Sequence, residues 1–240
     1  MITTILTAYK RPHVLKLQIE AIKRQSVPSE IWLWSNNCNF NSLISKERLT
    51  DVKIFDCNFN WSFYGRFAAA VMVRTKFVSI LDDDTIPGPH WYKNCLETFS
   101  LSPGIIGGAG INLESVTGYR PNIRKGWPEP NNKIDEVDLV GHAWFLPADY
   151  IREYMWRKEP LWTNCEDMHL SAMCQIYGGI RSYTAPHPRN NKQLWSSLMA
   201  RQFGNDINAS HRTNATLFYK QRDEYVCRLI SYGWKPSPCP

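Results

Sequence analysis

Phe77-Val78-Ser79-Ile80-Leu81-Asp82-Asp83-Asp84 is the stretch that decides the fold. Residues 77–81 are apolar but for Ser79 and read as a buried strand, and three acids follow at its end. Adjacent carboxylates repel one another, and burying them without compensation is costly. A divalent cation removes the conflict. Carboxylate oxygens suit Mg²⁺ and Mn²⁺, which also bind diphosphate oxygens. Alternate side chains of an extended chain point the same way, so Asp82 and Asp84 are expected to face one site and Asp83 the other side. The competing reading is an inert, solvated acidic turn.

Outward from this strand, apolar runs alternate with helical patterns. Residues 2–6, 31–34, 52–55 and 105–109 read as strands, and 64–74 and 89–99 as helices. Pro12 suits a helix start, and Leu15, Ile19 and Ile22 mark one apolar face. This alternation predicts an α/β fold, a mostly parallel central sheet with helices on both faces. Ligands bind beyond the carboxyl ends of such strands, where Ser35-Asn36-Asn37 and the acid triplet both fall. Downstream, 110–135 reads as a long loop or irregular hairpin, 137–146 as a strand, and 150–156 and 167–177 as helices. Gly178-Gly179 stops the second of these helices. A short strand at 181–184, a rigid loop at 185–188, a polar stretch at 189–211 and a terminal helix at 216–231 complete the chain. One domain is expected: a nucleotide-binding half (1–110), an acceptor-side half (111–214), and a C-terminal helix and tail (215–240).

Composition narrows the classes. The 240 residues are 43% hydrophobic and 21% charged, as expected of a globular chain with a core. The net charge of +6 comes without a basic, aromatic-interleaved run, which argues against nucleic-acid binding. Seven cysteines, an odd number without a CxxC pair, argue against a zinc ribbon or a disulfide framework. No apolar run is long enough to span a membrane, and the opening residues lack a signal-peptide pattern. The expectation is a soluble, cytoplasmic protein; its oligomeric state is not legible.

The sequence resembles the GT-A glycosyltransferases, especially the exostosin-like (family 64) and family 2 branches. The resemblance rests on Leu81-Asp82-Asp83-Asp84-Thr85, on Asn60 and Gly65-Arg66-Phe67 before it, on the opening from Thr4 to Pro12, on Ser35-Asn36-Asn37, and on Asn164-Cys165-Glu166-Asp167. It covers roughly residues 3 to 188. It implies a GT-A fold with a small C-terminal acceptor-side region. It also implies hexosyl or pentosyl transfer, in glycan biosynthesis, from a nucleotide-sugar (a UDP-sugar above all) to an oligosaccharide or glycan hydroxyl. By that resemblance Asp84 ligates Mn²⁺ or Mg²⁺, Asp82 touches the ribose or the metal's water shell, and Asp83 lies near the ribose or donor sugar. Thr7, Tyr9 and Asn37 would line the uracil and ribose pocket, with Arg11 and Asn60 among the donor-binding residues. Arg66 would approach the base or diphosphate.

Glu166 and Asp167 form a second acidic centre, placed to take a proton from the attacking hydroxyl. The second acid is the usual base of an inverting enzyme, whereas the first matches the catalytic position of the retaining exostosin-like branch. Capping a helix N-terminus is the plainer role for both. His187, between two prolines, is a candidate third metal ligand or diphosphate donor; His142 is read as a core histidine. Trp144 and Trp162 are candidates to stack on sugar, and Arg189 and Lys192 to close over the diphosphate. Two rival functions share these residues: a non-catalytic protein binding sugar or nucleotide-sugar, and another metal-dependent nucleotidyl- or phosphoryl-transfer enzyme.

Overall fold

The computed structural model describes residues 1–39, 49–204, 212 and 214–236. Nine strands form one sheet: β1 (Ile2–Ala8), β2 (Ser29–Asn36), β3 (Val52–Cys57), β4 (Phe77–Leu81), β5 (Ile105–Leu113), β6 (Asn122–Gly126), β7 (Asp135–Val137), β8 (Leu139–Pro147) and β9 (Ser182–Thr184). Their order is β3-β2-β1-β4-β8-β5-β9-β7, with β6 on β5. The first four in that order are mutually parallel. β8 runs against both β4 and β5, and β9 runs with β5. Six strands therefore share one direction, and β6, β7 and β8 oppose them.

Period-two alternation sends side chains to two cores. Phe77 and Leu81 of β4 join Leu6, Leu15, Ile19, Ile22, Trp91 and Cys95, under α1 (Leu15–Lys23) and α3 (Trp91–Leu101). Val78 and Ile80 join Phe67, Trp144, Leu146 and Leu170 on the other face. That face is covered by α2 (Gly65–Ala70), by α4 (Ala148–Tyr150) with its π-helical continuation Ile151–Met155, and by α5 (Glu166–Gly178). The C-terminal helix (Ala215–Ser231) seals a third cluster, with Tyr225, Val226 and Leu229 against Met168, Ala172 and Met173 of α5. No described helix is long and apolar enough to cross a membrane.

Several expected boundaries move. The helix expected over 64–74 ends at Ala70, because Val71, Met72 and Val73 bond three residues back and tighten the last turn. Of the two readings of 110–135, the hairpin is the one formed: β5 continues to Leu113 and pairs with the polar edge strand β6. The strand expected over 137–146 is two strands, parted by buried Asp138, whose Oδ2 accepts from Leu113 N–H at 2.7 Å. Gly179 ends α5 as foreseen, in the left-handed region at φ 65°. Of the polar stretch expected over 189–211, residues 205–211 lie outside the described ones.

His169 on α5 makes stability pH-dependent. Its ring is fully buried, with Nε2 2.7 Å from Met155 O and Nδ1 2.7 Å from Tyr225 Oη. A neutral ring satisfies both, donating from Nε2 and accepting at Nδ1. Burial pushes its pKa down from 6.5 to about 4. A depressed histidine contributes stability above the unfolded value and loses it as pH falls from about 6.5 toward 4. Between pH 7 and 5 the loss should be roughly 2 kcal/mol. Urea denaturation at both pH values should show a shallower loss for His169→Gln than for the parent; equal losses would place the effect elsewhere.

Candidate active site

The carboxyl ends of β1, β2 and β4 open into a cleft of about 480 Å³, whose far wall is α5 and the C-terminal helix. Thr7, Tyr9, Arg11, Asn60, Arg66, Asp82, Asp83, Asp84, Glu166 and Asp167 all line it, so both acidic centres share one cavity. Thr7 Oγ1, buried in its wall, has no partner among the described residues. Antiparallel β8 adds what parallel strands alone would not. Its early residues lie beside the end of β4, with Ala143 opposite Leu81, and Asp82 N–H donates to His142 O at 3.2 Å.

His142 thereby reaches the acids, with Nδ1 3.7 Å from Asp84 Oδ1 and 3.9 Å from Asp82 Oδ2. One ligand atom from each of Asp82, Asp84 and His142 lies within 4.8 Å of the other two. The imidazole stacks on Trp127, centroids 4.0 Å apart and planes 7° from parallel. Burial pushes its pKa down to about 4, so at neutral pH the ring is uncharged and one nitrogen carries a lone pair, with Thr85 Oγ1 3.4 Å from Nδ1 and 3.3 Å from Nε2. Asp84 is pushed up to about 7 by burial and then by Asp82 and Asp83. Two carboxylates, of which Asp84 has no arginine among the described residues nearer than 3.9 Å, beside a neutral imidazole are a donor set suited to a borderline divalent ion such as Mn²⁺.

Three buried arginines pair with these acids. Arg11 Nη1 donates to Asp83 Oδ1 at 2.6 Å, drawing Asp83 away from the Asp82–Asp84 side. Arg66, seated over the Trp144 ring, donates to Asp82 Oδ1 at 2.5 Å and to Glu166 Oε1 at 3.3 Å, tying the two acidic centres together. Arg222 of the C-terminal helix donates to Asp167 Oδ2 at 2.7 Å. Glu166 is pushed up to about 8 by burial and the neighbouring Asp167, against the opposing pull of Arg66. The non-glycine residues held at positive φ among the described ones are Asn37, Ser62, His142 and Cys165. Each lines the cleft or adjoins a residue that does. Such strain persists where surrounding structure fixes it, and it gathers at ligand sites.

Several assignments need correction. His187 is fully buried, with Nδ1 2.8 Å from Ala185 O and Nε2 accepting from Ser196 N–H at 3.1 Å, so neither nitrogen has a lone pair free for an ion. His142, read from sequence as core, stands at the acids instead. Asn37 is exposed at φ 54° and does not line the cleft. Its neighbour Asn36 does, donating to Asn60 Oδ1 at 2.8 Å, because the positive φ ends the strand's alternation one residue early. Trp144 is 1% exposed beneath Arg66, which leaves no free ring face for a sugar. Arg189 and Lys192 do not line the cleft.

A nucleotide-sized cleft beyond parallel strands, with an Asp-x-Asp at the central strand's tip and an antiparallel strand inserted beside it, belongs to the GT-A fold of glycosyltransferases. Among solved structures the chain is similar to TarS of S. aureus, a GT-A-type enzyme. To TarS 1-349 in complex with UDP the TM-score is 0.56 at 13% identity, covering 77% of this chain and 57% of that one. To a longer TarS structure it is 0.56 at 12% identity, covering 92% and 43%. A further structure of TarS 1-349 gives 0.53 at 13% identity, covering 98% and 74%. The chain thus spans about half the length of the first two. No family model matches the sequence, and no curated protein matches it.

Proposed function

We propose that this chain is a metal-dependent glycosyltransferase that moves a sugar from a nucleotide-sugar, with UDP as carrier, to a carbohydrate hydroxyl. One observation carries the reading: the acid triplet with His142 and the Glu166–Asp167 pair face each other across a single cleft. The GT-A fold, and a structural neighbour in complex with UDP, support the choice of donor.

Asp82, Asp84 and His142 would hold the cation, which when bound neutralises charge on the departing diphosphate. The chain's own residues do the rest. Tyr9, Asn36 and Asn60 form a polar wall at the ends of β1 and β2, joined by a bond from Asn60 Nδ2 to Tyr9 Oη at 2.9 Å, and take the nucleoside. Arg66 fixes the distance between donor and acceptor acids. The acceptor oxygen attacks the anomeric carbon, the bond from that carbon to the diphosphate oxygen breaks, and the hydroxyl proton passes to a carboxylate. Burial and Asp167 push the Glu166 pKa up, which favours its protonated form and suits it to be the hydrogen-bond donor of the pair. Asp167, paired with Arg222, is the base.

The test is a donor screen. Purified protein is incubated with UDP-, GDP- and dTDP-sugars in Mn²⁺, Mg²⁺ or EDTA while released nucleotide is measured. Metal-dependent release of UDP from at least one donor is expected; no metal-dependent release from any of them would overturn the proposal. The ligand assignment is checked separately by Mn²⁺ titration. His142→Ala should weaken binding about tenfold or more, and His187→Gln should leave it within about twofold. The opposite ranking would restore His187 as the ligand.

A further inference from the structure

Beside α2 and adjoining the cleft lies a second groove of about 510 Å³. Five of its nine lining residues are aromatic (Trp34, Trp61, Tyr64, Trp156 and Trp162), Met72 lies among the rest, and none is charged. Three of these rings, Tyr64, Trp156 and Trp162, are in mutual contact. Trp156 and Trp162 lie near parallel, 23° apart at 6.3 Å, and Tyr64 abuts Trp162 edge-on at 5.4 Å. Trp61 is 47% exposed, Trp162 45% and Met72 49%. Leaving such large apolar surfaces wet forgoes the burial that would otherwise stabilise the fold, and contiguous patches of this kind mark binding sites.

The groove shares its walls with the cleft. Asn60, Ser62 and Phe63 line the cleft while Trp61 and Tyr64, interleaved with them, line the groove. Trp162 lines the groove, whereas Thr163, Asn164 and Glu166 line the cleft. Bonds lock the two together: Trp61 N–H to Asn36 Oδ1 at 2.8 Å, and Tyr64 Oη to Asn164 O at 3.1 Å. Gly65 is required where they meet, since a Cβ there would stand 2.4 Å from Trp34 Nε1. A ligand whose reacting hydroxyl sits at Glu166 and Asp167 therefore runs outward over Trp162.

We propose that this groove is an extended acceptor subsite, where sugar rings of an oligosaccharide beyond the reacting one stack on Trp162 and Trp61. The proposal rests on the glycosyltransferase reading and adds the size and shape of the acceptor. Pyranose rings have a C–H face that covers an indole and hydroxyl edges that stay in water, which suits an open, flat aromatic surface. The absence of charge disfavours a phosphorylated or sulfated occupant, and the aromatic rather than aliphatic lining disfavours a lipid chain.

A glycan array probed with fluorescently labelled full-length protein tests this, alongside UDP affinity in Mn²⁺ and donor hydrolysis without acceptor. The parent should retain at least one oligosaccharide of three or more sugars. Trp162→Ala and Trp61→Ala should each weaken that retention about tenfold or more, Trp162→Phe should keep most of it, and UDP affinity should stay within about twofold. Array binding that is absent, or equal in parent and variants, overturns the subsite. So does binding to phosphatidylcholine–phosphatidylglycerol vesicles, or self-association in sedimentation, that Trp162→Ala abolishes. Loss of UDP binding and hydrolysis in the parent itself is the separate failure of the glycosyltransferase reading.

Discussion

Asp84→Ala should reduce metal-stimulated release of UDP from a UDP-sugar by about a thousandfold, since a ligated cation supplies several kcal/mol to a developing diphosphate and each 1.36 kcal/mol is a decade. The reason lies in the geometry of the triplet. Arg11 engages Asp83 at 2.6 Å and Arg66 engages Asp82 at 2.5 Å, whereas Arg11 stands 3.9 Å from Asp84. Asp84 is thus the acid of the three least compensated by the protein. Burial and its two neighbours disfavour its charge, so metal-free Asp84→Ala should be at least as stable as the parent. Loss of activity with a retained or raised melting temperature separates a ligand from a structural acid. Metal-dependent release that survives the substitution would sink the metal assignment.

Much of this site is legible in the sequence because it falls where the local pattern is strongest. Residues 77–81 are the observed bounds of β4, and the acids follow directly. Leu15, Ile19 and Ile22 sit on the buried face of α1 as their spacing requires. Glu166 and Asp167 open α5, where acids favour the dipole, and also line the cleft, so one position meets both expectations of place. What stayed hidden depends on pairing between distant segments. His142 looked like a core residue because it stands in an apolar strand, and only the antiparallel register of β8 on β4 brings it to Asp84. Its positive φ, a property of neither its residue type nor its neighbours, completes the placement. Arg222 was unmarked within an amphipathic terminal helix, and it matters because that helix docks on α5. His187 misled because a histidine between prolines suggests a loop ligand, while tertiary bonds to Ala185 and Ser196 consume both its nitrogens.

The acidic pair carries the other large effect. Asp167→Asn should lower sugar transfer to an acceptor by about a thousandfold, the range for removing a positioned base. Donor binding should persist, because Asp167 lies on the α5 side of the cleft and Arg66 bridges Asp82 to Glu166 rather than to it. The amide keeps one oxygen for Met168 N–H, which now meets Asp167 Oδ1 at 2.8 Å, so the helix start should survive, while its NH2 replaces the oxygen that accepts from Arg222. Glu166→Gln is the informative partner. A glutamate whose protonated form is favoured is mimicked by an amide, so transfer should fall by no more than about tenfold. Initial rates with saturating donor and varied acceptor, with UDP affinity measured in parallel, read both variants. If Glu166→Gln proves the crippled enzyme and Asp167→Asn the competent one, the base is the first acid, and the hydrogen-bond donor is the second.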